Sequence, residues 1–107
     1  MPIKRISSAQ LFAALGDETR LGLVARLCAN GPLSITELSA GSGVTRQGIT
    51  KHLRVMERSG LARSNRRGRE SVWEVDLRRM EEAQRYLREI SSQWDKALAR
   101  LQKFVKD

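Results

Sequence analysis

The chain holds one cysteine, Cys28, and one histidine, His52. A lone cysteine forms no internal disulfide. Together the two fall short of the thiolate and imidazole sets that hold soft or borderline metal ions, so no metal and no cofactor is expected. No apolar run approaches the roughly 20 residues of a membrane span. The opening MPIKRISS lacks the apolar stretch of a secretory signal. These absences lead us to expect a cytoplasmic protein that does not enter a membrane. Paired carboxylates beside a glycine-rich cradle are also missing, which leaves nothing from which to assemble a catalytic centre. No enzyme is expected. Aromatics make up 5% of the chain, too few for the stacking platforms that single-stranded RNA requires.

Acidic residues are scarcest where basic ones are densest. Residues 45–69 contain Arg46, Lys51, Arg54, Arg58, Arg63, Arg66, Arg67 and Arg69 against Glu57 alone. Eight against one is +7, nearly all of the chain's net +8. A generally basic, solvated surface would spread that excess along the sequence. Clustering is the electrostatic footprint of a polyanionic partner.

The 107 residues, 40% of them hydrophobic, suit a single domain spanning 1–107 with its own core. Ser7-x-x-Gln10 has the form of a capping box and opens a first helix, with Leu11, Phe12 and Leu15 inward and Gly16 closing it. Asp17 caps a second, whose apolar stripe is Leu21, Val24 and Cys28 with Leu27. Gly31 and Pro32 end it. Ser34-x-x-Glu37 opens a short third helix running to about residue 40. After the turn GSGV, Thr45 caps a fourth helix, which Gly60 stops. Two short β-compatible stretches, 61–65 and 70–75, flank the turn RRGR and predict a two-stranded hairpin. From about residue 76 to 105 a helical pattern runs without glycine or proline. In it Met80, Leu87, Trp94 and Leu101 recur every seven residues, with Ala83, Ile90, Ala97 and Phe104 three places on. The fold expected is mainly α: about five helices and a hairpin, a winged helix-turn-helix.

The fourth helix, within VTRQGITKHLRVMERSGL, has two faces. Ile49, Leu53 and Met56 share a narrow stripe, while Gln47, Lys51, Arg54 and Arg58 lie opposite and Arg46 and Thr50 between. In a helix-turn-helix the second helix enters the major groove and its first residues meet base edges. Gln47 suits adenine, Arg46 guanine, and Lys51 guanine or phosphate. Thr50 can reach a base edge or a thymine methyl. Arg54 and Arg58 are placed for phosphates, and Thr45 lies at the contact as the cap. His52, on the edge nearer Leu53, packs or bonds a phosphate rather than ligating metal. Gly48 allows a close approach, by DNA or by a neighbouring helix. Arg66, Arg67 and Arg69 tip the wing. Trp73 and Val75 alternate with Glu74 and pack the wing onto the body.

The last helix is too apolar along one stripe to stand alone. Residues 6–15 and 77–105 are therefore expected to pair two copies, with Leu11, Phe12, Leu15, Leu87, Ile90, Trp94, Leu98, Leu101 and Phe104 at the interface. Two-fold symmetry would set two recognition helices about 34–36 Å apart on a two-fold repeated duplex site.

Residues 11–76 resemble the ArsR-type family of bacterial winged-helix repressors. The signals are LGDETRLGLVARL with LSITEL, then VTRQGITKHLRVMERSGL and RRGRESVWEV. The resemblance implies a homodimeric, operator-binding transcriptional regulator joined through its first and last helices. Repression rather than activation rests on that resemblance alone. Many such proteins sense metals through a thiolate pair in the third helix, but Glu37-Leu38-Ser39-Ala40 stands there. Residues 76–107 contain no histidine for the alternative sites. The Trp-bearing tail QWDKALARLQKFV is similar to that of members without a metal, and any small-molecule effector is unknown. Two other readings are a winged helix that docks its basic face on an acidic protein, and a metal- or thiol-responsive repressor using Cys28. Protein docking would favour more exposed apolar or aromatic residues than this face carries. Cys28 is expected on an inward stripe.

Overall fold

The computed structural model describes residues 7–106; residues 1–6 and 107 lie outside the described region, among them the first residue of the 6–15 segment. The elements run α1 (Ser8–Leu15), α2 (Glu18–Asn30), β1 (Leu33–Ser34), α3 (Ile35–Ser39), α4 (Arg46–Arg58), β2 (Ala62–Arg67), β3 (Glu70–Val75) and α5 (Leu77–Lys106).

Local chemistry sets the helix starts. Ser7 accepts from the Gln10 backbone amide while the Gln10 side chain accepts from that of Ser7, each at 3.1 Å. Ser34 and Glu37 make the same reciprocal pair at 3.2 and 3.0 Å. Asp17 and Thr45 each accept from the amide three residues on, at 2.9 and 3.0 Å. Each bond satisfies an amide that the helix itself leaves unpaired.

The sheet has three antiparallel strands in the order β1-β3-β2, where the sequence predicts a two-stranded hairpin. β1 is two residues long and pairs Leu33 with Trp73 and Ser34 with Val72. So short a strand has no period of its own. The free edge of β3 recruits it from 40 residues away in sequence or less (Leu33 to Trp73). The pairing ties the wing to the start of α3, and Trp73 and Val75 pack inward as expected.

One core cluster joins Leu11 and Ala14 of α1, Leu23, Val24 and Leu27 of α2, Leu38, the inner face of α4, and Trp73, Val75 and Ala83. Two expectations fail here. Leu21 is 55% exposed and Cys28 is exposed, while Leu23 is buried. Leu21 and Cys28, seven residues apart, share one line on α2, and that line lies about 100–120° round the helix from Leu27. Val24 and Leu27 are covered as expected, but the covered line continues through Leu23 rather than through Leu21 and Cys28. Leu11, expected between two copies, is fully buried in its own protomer's core and cannot face a partner. Phe12 and Leu15 are half-buried against the same core, and Phe12 lies 5.5 Å, centroid to centroid, from Tyr86.

α5 crosses the body and leaves it. Arg79 anchors its start by donating to the Ser59 carbonyl at 3.2 Å and to that of Ser7 at 3.4 Å. Ala83 is its only fully buried residue. Beyond it Leu87, Trp94, Leu98, Leu101 and Phe104 are 48–80% exposed. A radius of gyration of 17.9 Å, against about 13 Å for a compact domain of this size, measures how far the helix projects. No helix among the described residues is long and apolar enough to cross a membrane.

Candidate nucleic-acid interface

On α4 burial divides the faces sharply. Ile49, Leu53 and Met56 have no exposed surface, while Arg46, Gln47 and Lys51 are exposed and Thr50 is half-exposed. The buried stripe fixes the helix's rotation, and the rotation decides what it offers to solvent. The turn before it is set by Gly41 and Gly43, at φ 70° and 75°.

At Gly48 the close approach is made by the protein's own chain. A Cβ there would lie 2.8 Å from Val44 Cγ1 and 3.2 Å from Thr45 Oγ1. Val44 is half-buried against the core, so it yields only by giving up packing. In an ordinary helix Gly to Ala gains about 1 kcal/mol. For Gly48→Ala we expect the reverse, a lowered melting temperature in a thermal scan; a rise of several degrees would show that Val44 moves freely.

His52 faces inward with one edge. Arg20 donates from Nε to the Ala14 carbonyl at 2.7 Å and from Nη1 to His52 Nδ1 at 3.2 Å. His52, among the expected contact residues, is thus held by its own protomer through Arg20. Asp17 Oδ2 lies 3.8 Å from the same ring nitrogen. Arg20 therefore joins the end of α1, the start of α2 and the recognition helix. No local sequence signal marks that role, because its partners lie 6 and 32 residues away.

The backbone amide of Arg20 holds the Asp17 carboxyl below its ordinary range, with the Arg20 charge adding to the effect. The amide and hydroxyl of Ser34 do the same for Glu37. Both groups bind fewer protons folded than unfolded. Their stabilisation is complete above the usual carboxylate range and is lost as pH falls through the lowered folded values. Asp17→Asn keeps a good cap but cannot titrate. Its urea midpoint is expected to fall less than that of the parent between about pH 5 and pH 3. Parallel curves would mean that Asp17 does not contribute to acid sensitivity.

The basic residues of 45–69 fall into two groups. Arg63 pairs across the strands with Glu74 at 3.0 Å, and Asn65 donates to the same carboxylate. Arg54 pairs with Glu57 at 3.1 Å and lies 5.9 Å over the Trp73 ring. By contrast, among the described residues Arg46, Lys51, Arg58, Arg66, Arg67 and Arg69 have no carboxylate within ion-pair distance. At the wing tip Arg67 pairs with Glu70 in the strand register, leaving Gly68 and Arg69 as a two-residue loop. Gly68, at φ 62°, supplies the left-handed residue that such a turn needs at its first position. Neighbouring strand residues point to opposite faces, so Arg66 and Arg67 flank the hairpin on its two sides.

A family described as "Helix-turn-helix domain" matches residues 15–65. The solved structure of an ArsR-like transcriptional regulator from Rhodococcus sp. RHA1 superposes with a TM-score of 0.77. It is 33% identical, over 92% of this chain and 89% of that one. The chain belongs to the ArsR-type family of winged-helix transcriptional regulators. Among curated relatives of this ArsR-type chain, the HTH-type transcriptional regulator YuzN of Bacillus subtilis is 38% identical over 68 residues, 58% of this chain and 74% of YuzN. The arsenical resistance operon repressor of Escherichia coli is 37% identical over 60 residues, 56% of this chain. The match spans about half the length of that repressor, 51%. In this ArsR-type chain the matched domain ends inside the wing, and the long exposed part of α5 lies beyond it.

Proposed function

We propose that the chain is a cytoplasmic, homodimeric repressor that holds a two-fold symmetric operator between its two recognition helices and wings. The observation that carries this reading is the group of exposed cations, Arg46, Lys51, Arg66, Arg67 and Arg69, with no carboxylate partner among the described residues. On the same elements Arg54 and Arg63 are matched by Glu57 and Glu74, while Arg58 is also unmatched among the described residues. Unmatched positive charge on a groove-sized helix and loop is matched by phosphate. Arg46 and Gln47, in the first turn, meet base edges, while Lys51, Arg58 and the wing arginines hold the backbone, joined by Arg54 when it exchanges Glu57 for a phosphate.

The dimer follows from α5. Its stripe first serves the protomer's own core, through Met80 and Ala83, and then runs on uncovered through Leu87, Trp94, Leu98, Leu101 and Phe104. A soluble monomer rarely leaves so long an apolar stripe in water. A second copy of the same helix is its natural cover, with Phe12 and Leu15 at the near end. Repression is taken from the E. coli relative, which carries that role in its name.

Selection of bound duplexes from a random pool tests the reading. One enriched motif with two-fold symmetry is the expected product. Enrichment of nothing, or salt-resistant capture of an acidic protein in its place, would overturn it.

A further inference from the structure

An open hollow of about 390 Å³ lies between α3 and α4, lined by Ile35, Arg46, Gln47, Thr50 and Lys51. Its polar rim is the set of residues already assigned to DNA, but its floor is apolar. Ile35, the first residue of α3, is half-buried against the core. Thr50 donates its hydroxyl hydrogen to the Arg46 carbonyl at 2.9 Å. That bond turns the polar end of Thr50 back onto its own helix and leaves its methyl as the group without a polar partner. An apolar spot ringed by two cations and an amide, at the entrance of a recognition helix, matches one feature of the major groove. Only thymine presents a methyl group there, beside the donors and acceptors of its neighbours.

We infer that this hollow takes a thymine C5-methyl, seated on Ile35 and the Thr50 methyl, and that it specifies one thymine in each half of the operator. The inference rests on the regulator reading above and goes further by naming the base and the two residues that select it. Ile35 thereby becomes a specificity residue on the helix that is otherwise only the scaffold of the motif.

The test uses the full chain and its selected duplex, with thymines replaced one at a time by deoxyuridine. Deoxyuridine pairs with adenine identically and lacks only the methyl. Burying one such group is worth about 0.8 kcal/mol, or about fourfold in affinity. One thymine per half-site should therefore show about a fourfold loss, and both together about fifteenfold. Thr50→Ser, which keeps the hydroxyl bond, and Ile35→Ala should each remove most of that discrimination, while Thr50→Val, which keeps a methyl, should retain it. A specific duplex indifferent to deoxyuridine at every thymine would overturn the inference and leave the regulator reading intact. So would methyl dependence unchanged in both Thr50→Ser and Ile35→Ala. Failure to recover any duplex would remove both.

Discussion

Replacing Leu87 and Leu98 together by lysine is expected to make the protein a monomer and to weaken its hold on a two-site duplex by about a hundredfold or more. The two side chains are 54% and 48% exposed within one protomer, so the exchange removes nothing from the protomer's core. Lysine is nearly as good a helix former as leucine. The helix therefore survives, and the loss falls on whatever covers that face. In a dimer the change sets four ammonium groups at an apolar seam, where unpaired charge is strongly disfavoured. The affinity loss has a separate origin. Once one recognition helix is bound, its twin is held at high effective concentration over the second half-site. A monomer has no such advantage. Lysine adds positive charge, so a fall in DNA affinity could not be ascribed to weakened attraction for phosphate. Sedimentation measures the first effect and a binding titration the second. A variant that stays dimeric would place the interface elsewhere than on α5.

Arg46→Ala should cost at least about thirtyfold in affinity for the selected duplex and far less for random sequence. Arg46 is exposed in the first turn of α4, the part of a recognition helix that meets bases. A bidentate contact to guanine discriminates by about 1–3 kcal/mol. Two copies in a dimer double that, and each 1.4 kcal/mol is tenfold. No partner is left stranded in the free protein, since among the described residues Arg46 has no ion pair. Folding stability should accordingly be unchanged within about 0.5 kcal/mol. An equal loss on specific and random duplexes would make Arg46 a phosphate contact. It would then move the reading of sequence to Gln47 and the hollow beside it.

The parts of this fold legible in the sequence are those that local spacing determines. Ser7 with Gln10 and Ser34 with Glu37 are three residues apart and bond as their types dictate. Ile49, Leu53 and Met56 mark the inner line of α4 without ambiguity because cations occupy the other side. α2 lacked such a contrast. With apolar residues on several lines, only the packed neighbours settle that Leu23 turns inward and Cys28 outward. Leu11 shows the same limit in another form. An apolar period says that a residue is covered, but not whether its own chain or a second copy covers it. β1 and the Arg20–His52 contact join positions distant in sequence, and no window along the chain contains both members. The candidate surface was legible for a simple reason. Residues that bind a polyanion are exposed and charged, and their clustering survives whatever the interior does.

The salt dependence of duplex binding tests the central claim most directly, measured for the parent chain and for the variant with Arg66, Arg67 and Arg69 all changed to alanine. Each phosphate neutralised contributes about −0.9 to the slope of log affinity against log salt. With two recognition helices and two wings engaged, the parent slope should be about −5 or steeper, and the wing variant should be shallower by about 2 or more. A parent slope near zero, or identical slopes for the two proteins, would contradict the account.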